Sequence, residues 1–207
     1  MATRQPESRA LFVHGLWMSG HEAAWLRRCL APAGVDLDRF AYASMRASPC
    51  EAARRLAHRM RAEPGVHLVA HSLGGLVALA ALAEVPDWSG RAVLLGPPLA
   101  GSRVARRLRR APGGALFLGA ARDWLVEPPA LTAPEGRVAV IAGTRNIGIG
   151  RVLAGCPGPG DGVVRVAETV LAGAARMEVR ANHVELLVRP RVCAAVAAFL
   201  AGRGLSG

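Results

Sequence analysis

Lysine is absent from the 207 residues, so all 26 basic side chains are arginine. With abundant alanine, glycine and proline, this absence reads as the codon bias of a GC-rich genome. That bias is one explanation of the net charge of +11. The functional alternative is an acidic partner: nucleic acid, an anionic membrane or an acidic substrate. Aromatic residues are scarce, at 4%. None falls in the densest basic cluster, "SRVARRLRR" (102–110), so that cluster has no platform on which bases would stack. Helix-turn-helix, zinc-finger and RNA-binding signatures are missing too, and nucleic acid is not expected as a partner. Helical spacing gathers Arg103, Arg106, Arg107 and Arg110 on one face. A solvated face is expected there, with weak contact to an anionic membrane surface as the alternative.

Cysteine is also sparse. Cys29, Cys50, Cys156 and Cys193 include no C-x-x-C pair, which disfavours metal knuckles and redox pairs. Four free thiols are expected, with a Cys29–Cys50 bridge left open. No metal or cofactor is expected. No apolar run approaches the roughly 18 residues that span a bilayer. The polar start "MATRQPESRA" has no hydrophobic stretch or cleavage site. The expectation is a soluble cytoplasmic chain forming one domain over residues 1–207.

What the chain does contain is an alternation. "RALFVHG" (9–15), "VDLDRFAY" (35–42), "VHLVAH" (66–71), "RAVLLG" (91–96), "RVAVIAG" (137–143) and "ARMEVR" (175–180) read as strands. Helical patterns separate them: "HEAAWLRRCLAPAG", "SPCEAARRLAHRMRAEPG" and "LGGLVALAALAEVP". "RPRVCAAVAAFLAG" closes the chain. Ser48 is placed to cap the second helix, with Pro49 at its first position and Glu51 completing a capping box. The fold class is therefore α/β: a mostly parallel sheet of about six strands with helices on both faces. Residues 101–136 and 144–162 break the alternation. The first is a candidate small cap segment and the second reads as a long loop.

The segment "AHSLGG" interrupts two apolar runs at the handover from the third strand to the third helix. In a doubly wound sheet, ligands bind beyond the C-terminal strand ends. A sharp turn there holds the Ser72 hydroxyl out over the sheet, between the small flanks Ala70 and Gly74, at a helix N-terminus. A serine needs a base, and the base an orienting acid, in the chain order Ser, acid, His. Of six histidines, His183 follows the last strand and has the right order. Asp161, in the loop after the fifth strand, is the preferred acid, ahead of Glu168. The backbone N–H groups of Leu16, after Gly15, and of Leu73, after the serine, are the expected oxyanion donors.

The blocks "LFVHGLW", "AHSLGG", "DGVV" and "NHVELL", in this order, resemble the α/β-hydrolase superfamily over nearly the whole chain. They are most similar to small bacterial lipases and esterases without a large lid domain. Ala70 departs from the commoner glycine at that flank, and Glu185 stands where related chains often carry small or neutral residues. The resemblance implies a serine carboxylesterase or lipase-like hydrolase with Ser72, Asp161 and His183 catalytic, acting on a small-molecule ester with an apolar moiety. Trp17, Met18 and His71 are the candidate substrate contacts, with core packing the alternative for Trp17 and Met18. An acyltransferase on the same residues, or a non-catalytic protein binding anionic lipid or a partner, are the rival readings.

Overall fold

The computed structural model describes residues 8–148, 150 and 158–205. Six parallel strands form one sheet in the order β2-β1-β3-β4-β5-β6. They are β1 (Ser8–Val13), β2 (Val35–Phe40), β3 (His67–His71), β4 (Ala92–Leu95), β5 (Val138–Gly143) and β6 (Ala175–Val179). The order reverses beside β1, since β2 pairs on one side of it and β3 on the other. β3 and β4 are central and β4 is buried at every position. The strands alternate side chains between two separate cores, as the period of two requires. Leu68 and Ala70 face one core, and Val69 faces the other.

Helices cover both faces. α2 (Pro49–Ala62) and α3 (Leu73–Ala83) pack over the first core, while α1 (Ala24–Leu30) and α7 (Pro190–Leu200) pack over the second. α2 begins with the Ser48 hydroxyl accepting from the Glu51 N–H at 3.1 Å and Pro49 at its first position, as expected, but the Glu51 carboxylate makes no return bond to the Ser48 N–H, so the capping box is only half formed. α3 is apolar on every side because every side is covered, and Leu73 to Leu79 are all buried. Among the described residues no helix is long and apolar enough to cross a membrane.

The 101–136 stretch is a cluster of short helices: α4 (Arg103–Arg110), α5 (Gly114–Leu118) and α6 (Arg122–Val126). The Ser102 hydroxyl caps α4 through the Ala105 N–H at 3.3 Å. Leu118, Leu125 and Val126 pack on Leu73 and Leu76 of α3, so this cluster sits over the start of that helix.

The expectation of four free thiols is corrected. Cys29 in α1 is bonded to Cys193 in α7, with Cα atoms 6.4 Å apart, and the partner left open for Cys29, Cys50, is a free and exposed thiol. The two helices lie side by side on one face, which makes neighbours of residues 164 positions apart. Cys156 lies outside the described residues.

Candidate active site

β3 delivers Ser72 to the C-terminal edge of the sheet. The serine has φ 54° and ψ −124°. Positive φ is unusual for a residue with a side chain, and such strain persists only where surroundings enforce it. Here the Ser72 N–H donates to the Leu95 carbonyl at 2.9 Å, and its carbonyl accepts from the Gly75 N–H at 2.9 Å. Gly74 explains the small flank: a Cβ there would collide with the Val13 and His14 carbonyls, so α3 starts directly against the end of β1. Ser72 is half-buried, and its hydroxyl has no hydrogen-bond partner among the described residues.

Asp161 and His183 meet on the other side of β4. The Nδ1–H of His183 donates to Asp161 Oδ2 at 2.6 Å, and the His183 N–H donates to the Asp161 carbonyl at 2.9 Å. Asp161 Oδ1 accepts from the Val163 and Val164 N–H groups at 2.9 and 2.8 Å. Burial alone would raise the Asp161 pKa. The adjacent His183 and the two backbone donors outweigh it and hold the carboxyl below its ordinary range. Gly96, at φ +56°, makes room for the pair: a Cβ would stand 2.9 Å from Asp161 Oδ2 and 3.3 Å from His183 Nδ1. Since Ser72 is bonded to Leu95, the Leu95–Gly96 step joins the serine turn to the acid–histidine pair. Glu168, the second-choice acid, is used elsewhere. It accepts from the Arg103 and Arg165 N–H groups and faces Arg106.

The Gly15–Leu16 turn adjoins Ser72, for a Cβ on Gly15 would sit 3.0 Å from the serine Cβ. Neither the Leu16 nor the Leu73 N–H is taken by another group among the described residues. His14, whose place in the chain rules it out as the base, supports this turn. Its Nδ1–H donates to the Gly15 carbonyl at 2.9 Å, and its Nε2 faces the Tyr42 N–H at 3.4 Å. A trans peptide directs its N–H opposite to its carbonyl, so the Leu16 N–H points away from His14. The only signal for this role was the "HG" pair itself.

The three candidate substrate contacts fall in different places. Trp17 is 63% exposed at φ 64°, and its indole N–H donates to the Phe117 carbonyl at 2.9 Å. Met18 packs against the core beneath α1 and α7. His71 is fully buried, its ring centroid 4.5 Å from that of His183, and its Nε2–H donates to the His183 carbonyl at 2.9 Å. It supports the second histidine from below. Glu185, two residues after His183, accepts from Arg145 at 2.5 Å and Arg189 at 2.8 Å. Its carboxylate also takes the Asn182 N–H, and Asn182 Oδ1 takes the Glu185 N–H, which closes the turn around His183. A cavity of about 670 Å³ lies between α4 and residues 126–131, and no residue of the Ser72 site lines it.

Burial above all, with the neighbouring His183 acting in the same direction, pushes the His71 imidazole down to about 3. Above roughly pH 6.5 this ring is neutral in the folded and unfolded chain alike. Below that, the unfolded chain takes a proton that the folded chain refuses until about 3. Stability therefore falls with pH across this window, by up to about 1.4 kcal/mol per pH unit from this residue. His71→Gln, which keeps a donor for the His183 carbonyl, is expected to lose stability less steeply between pH 6.5 and 4 in urea unfolding. Parallel curves for the two proteins would refute this account.

The chain has the α/β-hydrolase fold. Solved structures similar to it include the mature form of the lipase BlEst2 from Bacillus licheniformis, with a TM-score of 0.71 at 18% identity over 90% of this chain and 89% of that one. A thermophilic esterase from Thermogutta terrifontis matches with a TM-score of 0.64 at 16% identity, over 95% and 90% of the two chains. An extracellular α/β-hydrolase from a Paenibacillus species gives 0.57 at 15%, over 96% and 100%. No family model matches the chain, and no curated protein matches its sequence.

Proposed function

We propose that this protein is a serine hydrolase of carboxylic esters, working through an acyl-enzyme on Ser72. The hydrogen bond from His183 to the buried Asp161, beside a serine held at positive φ, carries the reading. With Nδ1–H committed to Asp161, the neutral imidazole keeps its lone pair on Nε2, the form a general base needs. His183 takes the Ser72 proton as the hydroxyl oxygen attacks the ester carbonyl. The Leu16 and Leu73 N–H groups hold the oxyanion, which collapses as His183 gives its proton to the departing alcohol. Water, deprotonated by the same nitrogen, attacks the acyl-enzyme carbonyl; the bond to Ser72 Oγ then breaks, His183 returns the proton to the serine, and the acid leaves. Asp161 fixes the tautomer and stabilises the imidazolium.

The apolar side chains about the serine turn, Leu16 and Leu73 with the Leu118–Leu125 cluster above them, favour esters with an apolar acyl or alcohol part. The esterase and lipase activities of the structural neighbours accord with this substrate class. The test combines p-nitrophenyl esters of graded acyl length with a fluorophosphonate probe. Wild-type protein is expected to hydrolyse at least part of the series and to label at Ser72. A folded protein that neither turns over any ester nor takes the probe would overturn the proposal.

A further inference from the structure

Two features outside the chemistry lie next to each other. α4 turns Val104 and Ala105 into the core and leaves Arg103, Arg107 and Arg110 exposed at i, i+4 and i+7. These three arginines have no acidic partner among the described residues, whereas Arg106 turns aside to Glu168. Immediately after, α5 folds back against α4, because Gly114 leaves no room for a side chain over the Leu108 carbonyl. α5 then presents Leu116 at 80% and Phe117 at 58% exposure. The Phe117 carbonyl holds the indole of Trp17, itself 63% exposed and in the turn that carries Leu16. The Trp17 and Phe117 rings are 6.1 Å apart.

We propose that this edge is a docking surface for an anionic lipid bilayer. Arg103, Arg107 and Arg110 meet the headgroups, and Leu116, Phe117 and Trp17 enter the boundary between headgroups and acyl chains. Charge complementarity selects the occupant, since an arginine stripe beside protruding apolar side chains is the pairing that interfacial helices use. A polyanion such as nucleic acid would use the arginines but has no place for an aliphatic side chain as exposed as Leu116. Trp17 links the surface to the site, since it lies in the same turn as Leu16: docking would bring the Ser72 turn close to the lipid. Binding is read without turnover, so the surface stands or falls independently of the chemistry at Ser72.

The experiment is flotation of the full chain, and of its Ser72→Ala variant, with vesicles of phosphatidylcholine alone or mixed with phosphatidylglycerol. Both proteins are expected to bind the anionic vesicles, to ignore the neutral ones and to release with salt. Replacing Arg103, Arg107 and Arg110 together by Gln is expected to weaken binding roughly a hundredfold. Leu116→Ser is expected to weaken it several-fold. Both variants should keep wild-type turnover of a water-soluble short-chain ester and a wild-type melting temperature. The proposal is overturned by no binding to pure phosphatidylglycerol vesicles at low salt. It is equally overturned if Leu116→Ser binds as wild type and soluble heparin competes completely, which would mark a general polyanion surface.

Discussion

Ser72→Ala is expected to lower ester turnover by about 10⁴- to 10⁶-fold, because the proposed reaction has no other nucleophile and water must then attack without a covalent intermediate. What remains would come from the Leu16 and Leu73 donors and from binding. The loss should not come from misfolding. The hydroxyl has no hydrogen-bond partner among the described residues, so its removal leaves no group unpaired. The strained backbone at φ 54° is enforced by the Leu95 and Gly75 contacts, which alanine retains. An unchanged melting temperature with turnover near the assay blank is the expected pair of results. A variant that keeps more than about a tenth of wild-type kcat would remove Ser72 from the mechanism.

Asp161→Asn should cost nearly as much, about 10⁴-fold in kcat, through a proton in the wrong place. Asp161 Oδ1 is pinned by the Val163 and Val164 N–H groups, so the asparagine oxygen must stay at that position. Its NH₂ then faces His183 Nδ1, 2.6 Å from Oδ2 in the native chain, and Nδ1 must become an acceptor. The imidazole proton moves to Nε2, where it blocks removal of the serine proton. Asp161→Ala is a poorer probe, since it strands two buried backbone donors and costs stability as well. Steady-state kinetics on Asp161→Asn, with fluorophosphonate labelling rates as a second readout, checks the argument. Full activity in both would show that His183 is oriented by some other group.

The path from sequence to site was legible where local chemistry dictated it. The handover from β3 to α3 could be read from "HLVAHSLGG", because an apolar run, a serine and small residues leave few alternatives at a strand end. His183 and Asp161 could be ordered along the chain and were placed beyond strand ends, but their 2.6 Å contact depends on Gly96, which is on neither loop. Glycine before two prolines reads simply as the end of a strand, and only the packing reveals that a side chain there would displace the pair. His71, at the end of β3 beside the serine, is a candidate substrate contact from sequence. Strand alternation instead turns it beneath the sheet edge, against the His183 carbonyl. Glu185 stands beside the histidine where related chains often carry small or neutral residues. Arg145 and Arg189 neutralise it, and neither arginine stood out among the others in the sequence.

The Cys29–Cys193 bond changes what it means to cut this chain. It ties the first helix of the fold to the last, so Ser72, Asp161 and His183 all lie on the segment it closes. A protease that nicks any one loop between residues 29 and 193 therefore produces no separate fragment. Both ends stay covalently joined through α1 and α7, and each strand remains attached to a sheet it can rejoin. Reduction of that single bond turns the same nick into two pieces, so the lifetime of a damaged molecule is set by the redox state of its surroundings.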